Sequence, residues 1–156
     1  MSVLLFRHAV ATLAYRGGKA IRDAPPSFAT YHAGSSSRTP VEILAHVNDL
    51  LDWMDGFLTG VHKWHVSAPG AWTDEVTRFH SALARVDQRL AGPLIADVSL
   101  ERLFQGPVAD ALTHVGQLTL LRRLAGAPVR GENYYLADIE SGRVGPDQSP
   151  ARKEFD

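Results

Sequence analysis

The chain has no cysteine, so it has neither a disulfide framework nor a thiolate metal site. It also lacks a charge excess: 16 Lys and Arg stand against 17 Asp and Glu, for a net charge of −1 and a pI near 6.6. A nucleic-acid scaffold would be basic, so no nucleic-acid partner is expected. No apolar run reaches the roughly 18 residues that a membrane span requires, and no membrane partner is expected either. Internal repeats, low-complexity runs and a convincing strand alternation are missing too. Without cysteine, any metal must be held by His, Asp, Glu or water. That donor set points to a divalent ion, Zn or Ni first, with Fe or Mn as alternatives.

What is present reads as helix. The 156 residues suit one domain with its own core, and 45% hydrophobic content is ordinary for a globular chain. Residues 2–14 are apolar but have no basic leader, and Arg7 and His8 break the stretch, so they read as mature helix in a cytoplasmic protein. In 3–22, Phe6, Val10, Leu13, Gly17 and Ala20 share one face, and Gly17-Gly18 points to close packing on a neighbouring helix. Residues 24–38 form a loop, with Tyr31 and His32 read as an exposed pair. Thr39-Pro40-Val41-Glu42 is a capping box with proline at the first helical position, opening a helix to about Gly60. Apolar residues cover most of its circumference, which places His46 inside the core as a neutral imidazole.

Residues 61–72 connect to the next helix. Trp64 and Trp72 are expected to cover an end of the molecule, and the His62-x-x-His65 pair carries little weight in a loop. Thr73 is the expected N-cap of a helix over 73–91 with Val76, Phe79, Leu83, Val86 and Leu90 on its buried face, ended by Gly92-Pro93. His80 is expected to be structural or at the solvent edge, and 99–104 a short turn. The last helix runs from Gly106-Pro107, with Pro107 at its first position, to Gly126. Residues 127–156 show no period and read as an irregular tail laid over the helices, with Lys153–Asp156 free or against a partner. The expectation is an all-α four-helix bundle over 1–126, with long loops and a tail over 127–156 in the same domain.

On that last helix Asp110, His114, Gln117, Leu121 and Leu124 fall on one face. If helices two and four are neighbours, His46, Asp110 and His114 point to one spot. Three protein ligands leave positions open for a water or substrate. Gln117, one turn on, is placed to hydrogen-bond a ligand or bound water. Spacing alone leaves two readings open: a metal site, and a pocket of His and Asp satisfied by each other.

The segment Asp110-Ala-Leu-Thr-His114-Val-Gly-Gln117-Leu118, together with His46 after Thr39-Pro40-Val-Glu-Ile-Leu-Ala, resembles the DinB/YfiT-like superfamily. The resemblance covers most of residues 3–126, and the His-x-Gly-Gln element is its most specific part. It implies an up-down-down-up four-helix bundle with a metal bound by one side chain from helix two and two from helix four. His46 and His114 match its histidine ligands. Asp110 stands where most members have histidine, although the related mycothiol-dependent maleylpyruvate isomerase branch has glutamate there. The resemblance further implies a thiol-dependent S-transferase or isomerase that uses a low-molecular-weight thiol, such as mycothiol or bacillithiol, on a small electrophile. A metal-dependent hydrolase is a second enzymatic expectation. The competing expectation is a non-catalytic helical binding or stress-response protein whose polar core only fixes the packing. A homodimer fits either case.

Overall fold

The computed structural model describes residues 1–95 and 97–155. Its helices are α1 (Val3–Ile21), α2 (Pro40–Leu58), α3 (Trp72–Ala91), α4 (Leu100–Leu103) and α5 (Ala109–Leu124), with a π-helical segment (Phe104–Val108) between α4 and α5. The fold is all-α. Its strands, β1 (Gly131–Glu132) and β2 (Glu154–Phe155), are two residues each and pair antiparallel, Gly131 with Phe155 and Glu132 with Glu154. No helix is long and apolar enough to cross a membrane among the described residues.

Each long helix packs on two others: α1 on α3 and α5, and α2 on α3 and α5. Contact pairs give the directions. Along α2 and α3 the numbers rise together, Asn48 with Glu75, Asp49 with Arg78, Asp52 with Arg85 and Asp55 with Arg89, so these consecutive helices run parallel. Between α1 and α3 they run in opposition, with Arg7 on Asp87 and Gly17 under Phe79. Residues 59–71 must therefore carry the chain back along the molecule. The α1 stripe Phe6, Val10, Leu13, Gly17 and Ala20 is wholly buried, as its spacing predicts. In α2, Leu44, Val47, Leu51 and Met54 are at most 1% exposed. Together with Phe79, Leu83, Val86 and Leu90 of α3 and Val108, Ala111 and Leu118 of the last helix they make one core.

The capping box at Thr39 is present in full: its N–H donates to Glu42 Oε2 at 2.7 Å and its Oγ1 accepts from the Glu42 N–H at 3.4 Å. Three sequence expectations need correction. Pro107 does not open the last helix. That helix begins with α4, where Ser99 Oγ accepts from the Arg102 N–H. The chain then runs through the wider π turn, which takes a residue that has no N–H to give and whose ring crowds the preceding turn. Thr73 is not the N-cap of α3. Trp72 is already helical, its ring edge-on to Phe28 at 5.5 Å, and the Ala71 carbonyl accepts the first N–H bonds. Lys153 and Glu154 are not free (Asp156 lies outside the described residues).

Instead, Glu154 and Glu132 share the Lys19 ammonium at 2.8 Å each, and the Tyr15 hydroxyl donates to Glu132 at 2.7 Å. Burial and the Glu132 charge both push the Tyr15 hydroxyl well above the ordinary tyrosine range, so it stays a donor. The Asn133 N–H donates to the Lys153 carbonyl, and Tyr134 stands perpendicular to Tyr15 at 6.2 Å. The tail is thereby tied to α1, and its Val144 is buried.

The two glycines of α1 differ. A Cβ on Gly17 would lie 2.5 Å from the tip of the Phe79 ring, which is itself buried and held. A Cβ on Gly18 would come no closer than 3.9 Å to His80. Gly17→Ala is expected to destabilise by about 1–3 kcal/mol through overpacking. Gly18→Ala is expected to stabilise by about 0.5–1 kcal/mol by removing unfolded-chain freedom from a helix interior. Urea unfolding of the two variants checks both signs.

Candidate metal centre

α2 supplies His46 and the first turns of α5 supply Asp110 and His114. The antiparallel pairing of α2 with α5 brings them together, and further along the same groove Ile43 and Leu121 line one cavity. Asp110 presents one oxygen to each ring: Oδ2 is 3.6 Å from His46 Nε2, and Oδ1 is 3.4 Å from His114 Nε2. The rings are 85° apart with centroids at 4.7 Å. One ligand atom from each residue lies within 4.8 Å of the other two, and no other trio of His, Asp or Glu does so among the described residues.

These spacings bear on the two readings of the cluster. Mutually satisfied polar groups would sit at hydrogen-bond distance, about 2.7–3.2 Å. Ligands on a tetrahedral ion with bonds near 2.05 Å stand about 3.4 Å apart. The His114–Asp110 distance equals the second figure and the His46–Asp110 distance lies slightly beyond it, so the trio could hold a metal ion. Two imidazole nitrogens and a carboxylate oxygen also make a donor set suited to the borderline divalent ions.

Gln117 sets the state of one ring. Its Oε1 lies 2.7 Å from His114 Nδ1, so with the amide assigned this way Nδ1 carries the proton and Nε2 keeps its lone pair facing Asp110. His46 is held below the usual histidine range, first by burial, then by the neighbouring His114 and by Arg38, with Asp110 opposing. It is therefore a neutral imidazole at neutral pH and able to ligate. It does not lie inside the core as its helix pattern predicts. Its side chain is 23% exposed, at the lip of the α2/α5 groove, and that of Asp110 is 46% exposed. The cluster opens to solvent on the carboxylate side.

Trp64 lies beside the cluster. It stands edge-on to His46, with centroids 5.9 Å apart, and to Trp53 at 5.4 Å. His62 leans on Phe57, and neither it nor His65 enters the trio. The described tail residues pack against α1, and Tyr134 is at Tyr15, so the tail does not close over the cluster. His80 stands edge-on to Phe79 at 5.2 Å, its Nδ1 has no hydrogen-bond partner, and it is not part of the trio. A cavity of about 580 Å³ adjoins the trio, lined by Ser37, Arg38, Ile43, His46, His114, Gln117, Leu120 and Leu121.

Sequence reasoning missed the residues that hold Trp64 in place. The Ser67 N–H donates to Asp49 Oδ2 at 2.9 Å, and the Gly70 N–H donates to Glu75 Oε1 at 2.9 Å. Asn48 donates to the Glu75 carboxylate and carbonyl, and Arg78 donates to both Asp49 and Asp52 at 2.6 Å. Asp49, Asp52 and Asp55, spaced by three on α2 and facing the arginines of α3, were the available signal. Spacing along α2 alone does not mark them, because their arginine partners lie on another helix.

Set against family models, curated proteins and solved structures, the chain matches none. What the fold and the site define is an all-α protein with a His–Asp–His cluster at the lip of a groove between two antiparallel helices.

Burial alone would raise the Asp49 carboxyl, but the Ser67 N–H and the Arg78 guanidinium outweigh it, and its pKa falls below the ordinary value. A carboxyl with a depressed folded-state pKa stabilises above its unfolded value of about 4 and loses that contribution as pH falls toward the folded one. Asp49→Asn is expected to cost about 1–3 kcal/mol at pH 7. It should also flatten the acid limb of the stability profile below pH 5, measured by urea unfolding as a function of pH.

Proposed function

We propose that this chain is a divalent-metal-dependent enzyme of the DinB-like superfamily, its four long helices forming the up-down-down-up bundle of that group. Within that reading it is a thiol-dependent S-transferase or isomerase acting on a small electrophile. The observation that carries the proposal is the convergence of His46, Asp110 and His114, with carboxylate-to-imidazole spacings of 3.4 and 3.6 Å, near the ligand separation of a tetrahedral ion.

His46 Nε2, His114 Nε2 and one Asp110 oxygen would hold the ion. A bound divalent metal with an open position supplies Lewis acidity, which lowers the pKa of a thiol or water placed on it. The chain has no cysteine, so the thiol comes from a small-molecule cofactor. Gln117 holds the His114 tautomer and ring orientation through its acceptor oxygen. Trp64 and Trp53 form an apolar wall beside His46 that keeps bulk water from that flank. The remaining approach runs past the exposed edge of Asp110, where a ligand could enter.

Protein purified without a histidine tag and titrated with Zn(II) or Ni(II) is expected to bind one equivalent. His46→Ala and Asp110→Asn should abolish stoichiometric binding while keeping the helical circular dichroism. Gln117→Leu should weaken affinity about 10–100-fold, the usual effect of losing a partner behind a ligand. Unchanged metal content in His46→Ala would sink the assignment. Turnover of an epoxide or a chlorinated aromatic with added thiols, dependent on the metal, tests the reaction.

A further inference from the structure

The cavity beside the trio is mixed in character. Ile43, Leu120 and Leu121 form an apolar wall, and Ser37, Arg38 and Gln117 bring polar groups to its rim. Its volume of about 580 Å³ is that of a small-molecule site, typically about 300–1,000 Å³. Arg38 sets its charge. Among the described residues it forms no hydrogen bond and no carboxylate stands at ion-pair distance from it. The nearest acidic side chain by electrostatic influence, Glu42, is already engaged: its Oε2 accepts both the N–H and the hydroxyl of Thr39.

The backbone that carries Arg38 is fixed on both sides. Ser37 Oγ accepts from the Ala33 and Gly34 N–H groups and donates to the Gly34 carbonyl, and Thr39 begins the capping box. An exposed guanidinium on an anchored backbone, at the rim of an apolar-walled cavity, is suited to a planar anion. The charge balance points the same way. Two ligating imidazoles, one carboxylate and a divalent ion would sum to +1, and the Arg38 and Glu42 charges offset one another beside them.

We propose that this cavity takes a small carboxylate-bearing ligand with an apolar body, its carboxylate held by Arg38 and its reacting end at the His46–Asp110–His114 cluster. The inference rests on the metal reading above and adds a substrate class to it. Arg38 is a binding residue here, and Ile43, Leu120 and Leu121 receive the ligand's body.

Co(II)-loaded protein gives a thiolate-to-metal absorption band when a thiol reaches the ion. Two thiols of equal size serve as probes, 3-mercaptopropionate and its neutral amide. Wild type is expected to bind the acid about tenfold more tightly than the amide, the scale of one hydrogen bond to a charged group. Arg38→Gln is expected to erase that preference and leave amide binding unchanged. Equal affinities in wild type, or a preference that persists in Arg38→Gln, would overturn the carboxylate assignment while leaving the metal reading intact. If neither thiol raises the band, the thiol-on-metal reading fails, and this inference fails with it.

Discussion

Arg78 bridges two carboxylates of the preceding helix, and much of the molecule depends on that junction. Its guanidinium holds Asp49 and Asp52 at 2.6 Å each. Arg85 and Arg89 continue the ladder to Asp52 and Asp55. Exposed ion pairs contribute little singly, but Asp49, Asn48 and Glu75 are at most 4% exposed, so here the pairing also satisfies buried groups. Breaking it would leave charge and amide groups stranded, which costs far more than the pairing gains. The ladder therefore fixes α3 alongside α2 in the same direction. The connection must then span the molecule, and the buried carboxylates of Asp49 and Glu75 anchor its Ser67 and Gly70 N–H groups.

With α3 fixed on one flank of α2, the other flank receives α5 in the opposite sense. That arrangement brings His46 opposite the first turns of α5. Every group of the trio is then set by something outside it: His46 by Trp64, which the anchored connection carries, His114 by Gln117, and Asp110 by its place one turn before His114 on the same face. The trio lies at the lip of the groove, not in the core, and that suits a carboxylate. A charge at 46% exposure is still solvated, whereas the same charge at the depth of Met54 would carry a heavy desolvation cost.

Local features were legible in the sequence. The Thr39 capping box, the buried stripes of α1 and α3, the close contact at Gly17 and the i, i+4 pairing of Asp110 with His114 all follow from short-range rules. Features that depend on distant partners were not. Pro107 carried a helix-start signal, but Ser99, earlier in the chain, caps the helix and a π turn absorbs the proline. β1 and β2 are too short to show alternation and pair across some twenty residues. His46 sat in an apolar pattern and was placed in the core, yet α5 leaves its side of α2 partly open. Nothing short-range marks Asn48, Glu75 and Asp87 as buried, because their partners lie on other helices.

The central claim is that His46, Asp110 and His114 form one metal site. The most direct measurement is crystallographic: an anomalous difference map at the absorption edge of Zn or Ni, from crystals of protein loaded with that ion. The account predicts a single strong peak about 2.0–2.2 Å from His46 Nε2, His114 Nε2 and an Asp110 oxygen. A map with no peak at the trio, or with its strongest peak at His62 or His65, would contradict it.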